Sequence, residues 1–163
     1  DHAIGVRVRS GNESTMYRLQ IGSKEMYSDL EALGFLANKT KRLIVPDIPK
    51  KFFWDFVRGY FDGDGNVWVG YINKHRKTPT YIIQVVFTSV SKQFLEDLKE
   101  KLNLYGLPGG SVYSHTTKNY SRLSFVNRNA LKIYKMMYNT DTTLFLPRKK
   151  EVFEKYIAAV VQR

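Results

Sequence analysis

The feature of this chain that most constrains its fold is the segment 58–65, RGYFDGDG, in which an apolar helical pattern ends in two acids. Gly59 and Gly63 are four residues apart, so they lie on one helix face and let a second helix approach almost to backbone contact. Asp64 falls where the helix dipole is negative, which disfavours a carboxylate unless a cation binds with it. The segment therefore predicts a metal-binding acid at the foot of a pair of helices.

Composition narrows the class of protein. The chain has 163 residues, 43% of them hydrophobic, which suits one compact domain or two small repeats with a real core. Lysine and arginine number 26 against 15 acids, and the net charge of +11 favours nucleic acid as a partner over an anionic membrane surface. We find no long apolar run, signal peptide or basic amphipathic anchor, so we expect no membrane association and an intracellular, non-secreted protein (cytoplasm, nucleoid or organelle matrix). The absence of cysteine excludes disulfides, thiolate metal sites and cysteine nucleophiles.

Hydrophobic periodicity predicts an α+β fold. Alternation around Val6 and Leu19 indicates two strands, followed by a helix over 24–33. From Pro49 onward the predicted order is helix, two strands, helix, two strands, and a helix or helices. The predicted bounds in that part are strands 67–72, 81–88, 112–114 and 122–126, and helices around 94–102, 130–138 and 149–161.

An internal repeat is visible in the order of these elements. The segment 18–21, RLQI, corresponds to 122–125, RLSF, at an offset of 104 residues, and 43–46, LIVP, echoes 144–147, LFLP. We therefore expect a partial first repeat with linker over 1–49 and a complete repeat over 50–163.

The segment 57–65, VRGYFDGDG, resembles the signature helix of the LAGLIDADG homing endonucleases, the dodecapeptide class. The resemblance implies an αββαββα repeat with a curved antiparallel sheet that lies along a DNA major groove, here preceded by a partial ββα repeat. It also implies that two signature helices pack together through Gly59 and Gly63. The last acid of each helix would hold a divalent ion at the scissile phosphates, which assigns Asp64 and the peptide carbonyl of Gly63 to the metal and leaves Asp62 to support the helix end.

The chemistry of phosphodiester cleavage agrees with this assignment. Mg²⁺, or another divalent cation, polarises phosphoryl oxygens, and it takes one or two carboxylates while keeping several waters. A nearby lysine would help to neutralise charge on the phosphate. Lys132 is expected to open the helix after the last hairpin, where the family carries an active-site lysine, although it also reads as an ordinary solvated lysine. Gln84 is a candidate for ordering water, and facing solvent or DNA from a strand is its other reading.

DNA contacts are assigned to outward strand positions, because a two-stranded ribbon fits the major groove and alternate residues reach base edges. The alternative is that any half-buried sheet shows polar residues on one face. The predicted DNA-binding residues are Arg7, Arg9, Arg18, Gln20, Asn66, Trp68, Lys74, Arg76, Gln84, Tyr113, His115, Tyr120, Arg122 and Ser124.

Two functions remain open at this point. The first is a site-specific, Mg²⁺-dependent endonuclease for double-stranded DNA, working as a homodimer or as the C-terminal part of a two-repeat protein. The second is a non-cleaving DNA- or RNA-binding protein on the same scaffold, an intron maturase or a transcription regulator, favoured because the first repeat is incomplete. An origin in an intron, an intein or a free-standing gene is equally open.

Overall fold

The structure is a computed structural model, and it describes residues 2–8, 15–34, 43–138 and 142–161. Contacts between Cα atoms divide the chain into two units, 1–38 and 39–163, and each is described by itself. The segment 43–48, which the sequence analysis grouped with the first repeat, packs in the second unit: Val45 is buried there, and the Ser91 hydroxyl donates to the Leu43 carbonyl at 3.0 Å. Within the described ranges, none of the helices is both long and apolar enough to cross a bilayer.

The first unit contains a two-stranded antiparallel ribbon and one helix. Strands β1 (Ile4–Arg7) and β2 (Met16–Leu19) pair with Gly5 opposite Arg18, and α1 (Lys24–Ala32) follows. The Ser23 hydroxyl caps α1 by accepting from the Met26 amide. All residues of these three elements are exposed, so the described part of this unit has no core of its own.

The second unit follows the element order predicted from the sequence, and the predicted α+β class is confirmed. Phe53, in the first helix of this unit, stacks on Tyr105, which follows the last residue of the next helix; their ring centroids are 4.3 Å apart. In chain order the elements are α2 (Phe53–Asp64) after a short 3-10 turn, β3 (Gly65–Ile72), β4 (Thr80–Ser89), α3 (Lys92–Leu104), β5 (Ser111–Ser114), β6 (Ser121–Val126), α4 (Asn127–Tyr138) and α5 (Pro147–Val161).

The sheet of the second unit is antiparallel throughout, with strand order β3-β4-β6-β5. One face carries Val67, Val85 and Phe125, which are buried in a core shared with all four helices of the unit. The strand register places the alternate residues on the opposite face, here called the open face. Its members are Asn66, Trp68, Gly70 and Ile72 of β3, Thr80, Ile82, Gln84, Val86 and Thr88 of β4, Arg122, Ser124 and Val126 of β6, and Ser111 and Tyr113 of β5.

Helix α4 begins earlier than the sequence predicted. The backbone of Asn127 has φ +48°, and its side-chain oxygen accepts from the Ile83 amide at 3.3 Å. This left-handed residue turns the chain from β6 into α4 without a loop, because asparagine tolerates that conformation better than other side chains. Lys132 consequently lies inside α4 and does not open it as predicted.

Candidate active site and nucleic-acid interface

The C-terminal end of α2 presents the predicted metal-binding acid. Asp64 is the last residue of the helix, and both it and Gly63 are exposed. The amide of Gly65 donates to the Phe61 carbonyl and ends the helix there. A cavity of about 640 Å³ opens beside this end, lined by Leu43, Tyr60, Gly63, Asp64, Gly65, Thr88, Ser89, Val90 and Tyr120.

Tyr60 forms one wall of this cavity, one helical turn before Asp64. Its hydroxyl donates to the Thr88 carbonyl at 2.6 Å, which ties α2 to the end of β4. The pKa of Tyr60 is raised to about 12: burial is the main cause, the hydrogen bond with Ser89 opposes the shift, and the nearby Asp64 charge contributes to it. The phenol is therefore protonated at neutral pH, where it acts as a fixed hydrogen-bond donor.

A buried lysine from α5 caps the same helix end. The Lys149 ammonium donates to the carbonyls of Phe61 at 2.5 Å, Asp62 at 2.9 Å and Gly65 at 2.6 Å. These carbonyls belong to the last turn of α2 and the residue after it, where the helix dipole is negative and backbone carbonyls are short of donors; the Phe61 carbonyl also accepts from the Gly65 amide. Burial lowers the pKa of Lys149, Arg148 lowers it further, and the two acids at this helix end raise it. Lys149 thus fixes the backbone on both sides of Asp64.

Two further contacts hold α2 against the segment before α5. One oxygen of Asp62 accepts from the Leu146 amide at 3.0 Å, which fits the expected supporting role of this acid. The other oxygen is buried without a partner among the described residues. Arg58 is 5% exposed and donates to the carbonyls of Met137 at 2.8 Å and Leu144 at 3.1 Å. The polar residues of the signature segment are therefore mostly occupied within the fold, whereas Asp64 is left exposed.

The donor set at the end of α2 fits one half of a divalent-cation site. Asp64 offers a carboxylate and Gly63 a peptide carbonyl, both hard oxygen ligands of the kind that Mg²⁺ and Ca²⁺ prefer. Within the described ranges, no cluster of three or more histidine, cysteine or acidic side chains could hold a metal alone. The chain thus supplies one carboxylate to the cavity and leaves the other ligand positions to water, phosphate or a second acid.

The two predicted catalytic helpers lie outside the lining of this cavity. Gln84 is in the middle of β4, where its amide nitrogen donates to the Ser124 hydroxyl at 2.7 Å. Lys132 donates to the Gly106 carbonyl at 3.3 Å and lines a separate recess with Arg128. Thr88 and Ser89 are the β4 residues at the Asp64 cavity. Catalytic roles for Gln84 and Lys132 remain predictions.

Six of the predicted DNA-binding residues of the second unit share one face of the sheet. Asn66, Trp68, Gln84, Tyr113, Arg122 and Ser124 all belong to the open face, as the period of two predicted. Lys74 and Arg76 lie in the exposed β3–β4 hairpin. The late hairpin is ordered internally: the Tyr120 ring lies 5.0 Å from the His115 ring and 5.0 Å from the Arg122 guanidinium. His115 Nδ1 accepts from the amides of Thr117 and Lys118.

The predicted DNA-binding residues of the β1–β2 hairpin belong to the first unit. The register places Arg7 and Arg18 on one face of the β1–β2 ribbon, and both side chains are exposed. Gln20 is exposed just after β2. Arg9 lies outside the described residues. Binding of DNA by any of these residues stays a prediction.

Sequence reasoning missed Lys149 and Tyr60. A signal for Lys149 was present, because residues 149, 153 and 156 follow helical spacing and the other two are the buried aromatics Phe153 and Tyr156. A lysine on the apolar stripe of a helix must find buried acceptors, and the uncapped end of α2 supplies them. For Tyr60 the apolar stripe of α2 gave no indication of the bond to Thr88.

Comparison with protein families gives one match that spans half of the chain. The model of a family described as "LAGLIDADG-like domain" matches residues 54–137. Two curated proteins named probable translation initiation factor IF-2 also match. The one from Thermococcus kodakarensis is 27% identical over 162 residues, 94% of this chain and 12% of the factor. The one from Methanocaldococcus jannaschii is 28% identical over 132 residues, 72% of this chain and 10% of the factor. The chain thus spans about a tenth of the length of these curated relatives.

Solved structures share the fold at low sequence identity. The archaeal intron-encoded homing endonuclease I-Vdi141I, complexed with DNA, aligns with a TM-score of 0.54 at 16% identity over 70% of this chain and 72% of that one. The group I intron-encoded homing endonuclease I-CeuI, also complexed with DNA, gives 0.52 at 13% identity over 83% and 65%. I-SmaMI, bound to an uncleaved DNA target in the presence of calcium ions, gives 0.50 at 14% identity over 86% and 46%.

Proposed function

The chain belongs to the family of LAGLIDADG-like domains, and we propose that it is a homing endonuclease: a site-specific enzyme that hydrolyses phosphodiester bonds of double-stranded DNA with a divalent metal ion. The observation that carries this proposal is the exposed Asp64 at the end of a glycine-notched helix. A structural acid in this position would be paired or capped, as Asp62 is by Leu146. Asp64 instead faces a cavity wide enough for a phosphate group and its hydration.

Asp64 and the Gly63 carbonyl would hold the metal ion. When bound, a divalent ion polarises the scissile phosphate and lowers the pKa of attacking water. Lys149 holds the backbone of this turn through its carbonyls, and Tyr60 and Thr88 line the cavity beside Asp64. Lys132 and Gln84 are proposed as helpers that approach the phosphate only with DNA bound, since catalytic contacts are often long without substrate.

The open face of the sheet is the proposed DNA-binding surface. Antiparallel ribbons enter the major groove, and the net charge of +11 favours phosphate contacts around it. Similar folds are described in complex with DNA, which supports the same partner here. The exposed cations of the β3–β4 hairpin, Lys74 and Arg76, would contact the DNA backbone.

A second signature helix is the other proposed partner. Cβ atoms added at Gly59 and Gly63 would meet no atom within 4 Å, so the glycine side of α2 is open to close approach. A helix with glycines at this spacing allows near-contact of two backbones. Pairing would place two copies of the aspartate side by side, whether by homodimerisation or through another repeat of a longer protein.

Cleavage of a DNA target library in Mg²⁺ tests the proposal. The chain is assayed alone and with a complete second repeat supplied, and Mg²⁺-dependent double-strand cuts at a restricted set of sites are expected. D64N should lower the cleavage rate by more than about a hundredfold, because it removes the charged ligand. E100Q is the matched control, since Glu100 is an exposed acid on α3. Equal behaviour of wild type and D64N, with no cleavage by either, would reject the nuclease.

One observation favours the second candidate function, a non-cleaving DNA- or RNA-binding protein of the maturase or regulator type. Asp64 is the single carboxylate in the described lining of the cavity, so the chain alone supplies half of a two-acid site. Salt-dependent binding without metal-dependent strand scission, also after a second repeat is supplied, would support this function.

Partial matches to much longer proteins bear on the genetic context. The chain covers 12% and 10% of the two curated relatives. We therefore favour a module carried within a host protein, the endonuclease part of an intein, over an intron-borne or free-standing gene. Reading the host gene tests this: intein splicing residues should flank the module, and an isolated reading frame would contradict it.

A further inference from the structure

The open face carries large exposed apolar side chains among its polar residues. Trp68 is 42% exposed, Val126 46% and Ile72 38%, and the register places all three on this face. Ile82 and Val86 form its floor, each 7% exposed. These five apolar side chains, contributed by β3, β4 and β6, are here called the apolar strip.

The indole of Trp68 lies over Gly70, where the absence of a side chain leaves room for the ring. A Cβ at Gly70 would lie 2.5 Å from Cζ2 of Trp68, so the ring occupies the space above the glycine two residues along the same strand. Any larger residue at position 70 would displace the ring. The sequence therefore fixes a flat aromatic surface beside Ile82, the cross-strand neighbour of Gly70.

The polar residue in the middle of the strip is already bonded within the fold. Gln84 lies between Trp68 and Val126 in the register, and its amide nitrogen donates to Ser124. One of its two N–H groups is thus used by the neighbouring strand. The residues on either side of Gln84 in the register, Trp68 and Val126, offer a ligand exposed apolar contacts.

Charge identifies the occupant of the strip. Four consecutive residues of the adjoining hairpin, Lys74, His75, Arg76 and Lys77, are exposed and three are cationic. An apolar strip beside a cationic loop fits duplex DNA, whose phosphates flank a groove floor. In the major groove the only apolar group on a base pair is the C5-methyl group of thymine.

We propose that the strip formed by Trp68, Ile72, Ile82, Val86 and Val126 selects target DNA by the methyl groups of thymines in the major groove. This inference deepens the proposed function and rests on duplex DNA being the substrate. Trp68 is the specificity-determining residue, because its ring is the largest exposed apolar group of the strip and occupies the space that Gly70 leaves free.

Replacement of thymine by uracil tests the proposal, since it removes the methyl group and keeps every hydrogen-bonding group. Duplexes are first selected from a random library by binding to the full chain in Ca²⁺, and selected sites are then remade with single uracils. We expect uracil to weaken binding about fourfold at two or more thymines, the value for one buried methyl group. W68A should abolish this ratio at one of those positions.

Two variants separate recognition from folding. G70A keeps the indole but fills the space that the ring occupies above Gly70. It should therefore reduce the thymine-to-uracil ratio at the same position as W68A. L104A is the control: Leu104 is an apolar residue at the end of α3 that is 86% exposed, and its replacement should leave all thymine-to-uracil ratios unchanged.

Tight, selective binding in which uracil is tolerated at every position would overturn the inference and leave the proposed function standing. Sensitivity to 7-deazapurines alone would do the same, because it would indicate hydrogen-bond reading of purine edges. Failure to retain any duplex would overturn both. The thymine effect is read from binding, so loss of cleavage alone would reject the nuclease without touching this inference.

Discussion

At the residue scale, the unusual feature of this fold is that a lysine side chain, Lys149 of α5, caps the C-terminal end of the signature helix α2. Helices commonly end in a glycine with positive φ that redirects the chain, but Gly65 has φ −85° and continues directly into β3. The carbonyls at the end of α2 therefore need hydrogen-bond donors from elsewhere, and the Lys149 ammonium donates to three carbonyls around this turn. This arrangement lets Asp64 sit at the junction of helix and strand.

Removal of that cap should be costly. We expect K149A to lower the free energy of unfolding by about 3 kcal/mol, because it leaves carbonyls at a buried helix end without a donor. K149M should lower it by a similar amount, since it keeps the aliphatic stem and removes only the ammonium group. Urea denaturation followed by circular dichroism measures both.

K155A is the control for removal of a lysine charge from α5. Lys155 is 78% exposed and pairs with Glu151 at 3.4 Å, so its loss should change stability by less than about 0.5 kcal/mol. If K149A matched K155A, water would be replacing the ammonium at the helix end, and the capping role of Lys149 would be wrong.

At the element scale, Gly59 within α2 and Gly65 at its end differ in the space around them. Gly59 lies in the middle of α2 and is exposed, and an added Cβ there would meet no atom within 4 Å. Gly65 lies at the helix end, where an added Cβ would clash with the Phe61 side chain and backbone. The first glycine leaves room for the proposed approach of a second helix, whereas the second is required by the fold itself.

Alanine substitution separates these demands. G59A should raise the free energy of unfolding of the monomer by about 0.5–1 kcal/mol, because alanine favours the helix and meets no steric obstacle. G65A should lower it by about 2 kcal/mol or more through overpacking. Urea denaturation measures both, and sedimentation velocity of G59L should show weaker self-association than wild type. A destabilising G59A would mean that the glycine serves this subunit.

Element types and sheet faces were predictable from the sequence, but the partners of polar side chains were not. Alternation along β3 and β4 indicated the open face because side-chain direction has a period of two. The bond from Gln84 to Ser124 spans 40 residues, and those from Lys149 span 84 to 88, so no local pattern encodes them. The start of α4 was missed because one left-handed asparagine, Asn127, replaced a loop.

At the scale of the whole molecule, burial is distributed unevenly between the two units. Among the described residues, the members of the hydrophobic core run from Val45 to Tyr156 in sequence, so all of them belong to the second unit. In the first unit, Val6, Leu19 and Leu30 are apolar yet exposed. An isolated two-stranded ribbon and a nine-residue helix are each marginal in water. The described residues of the first unit thus form a ribbon and a helix that bury no side chain.

A truncation separates the two units experimentally. The fragment 39–163 should unfold in a single cooperative transition in urea, because its core is complete without residues 1–38. The fragment 1–38 should show no transition, since the elements described within it bury no side chain. In the full chain, amides of β1, β2 and α1 should exchange with solvent far faster than those of β4, whose two neighbouring strands protect it. Slow exchange in β1 and β2 would show that a second copy or another repeat covers the ribbon, and a 39–163 fragment without a cooperative transition would contradict the completeness of its core.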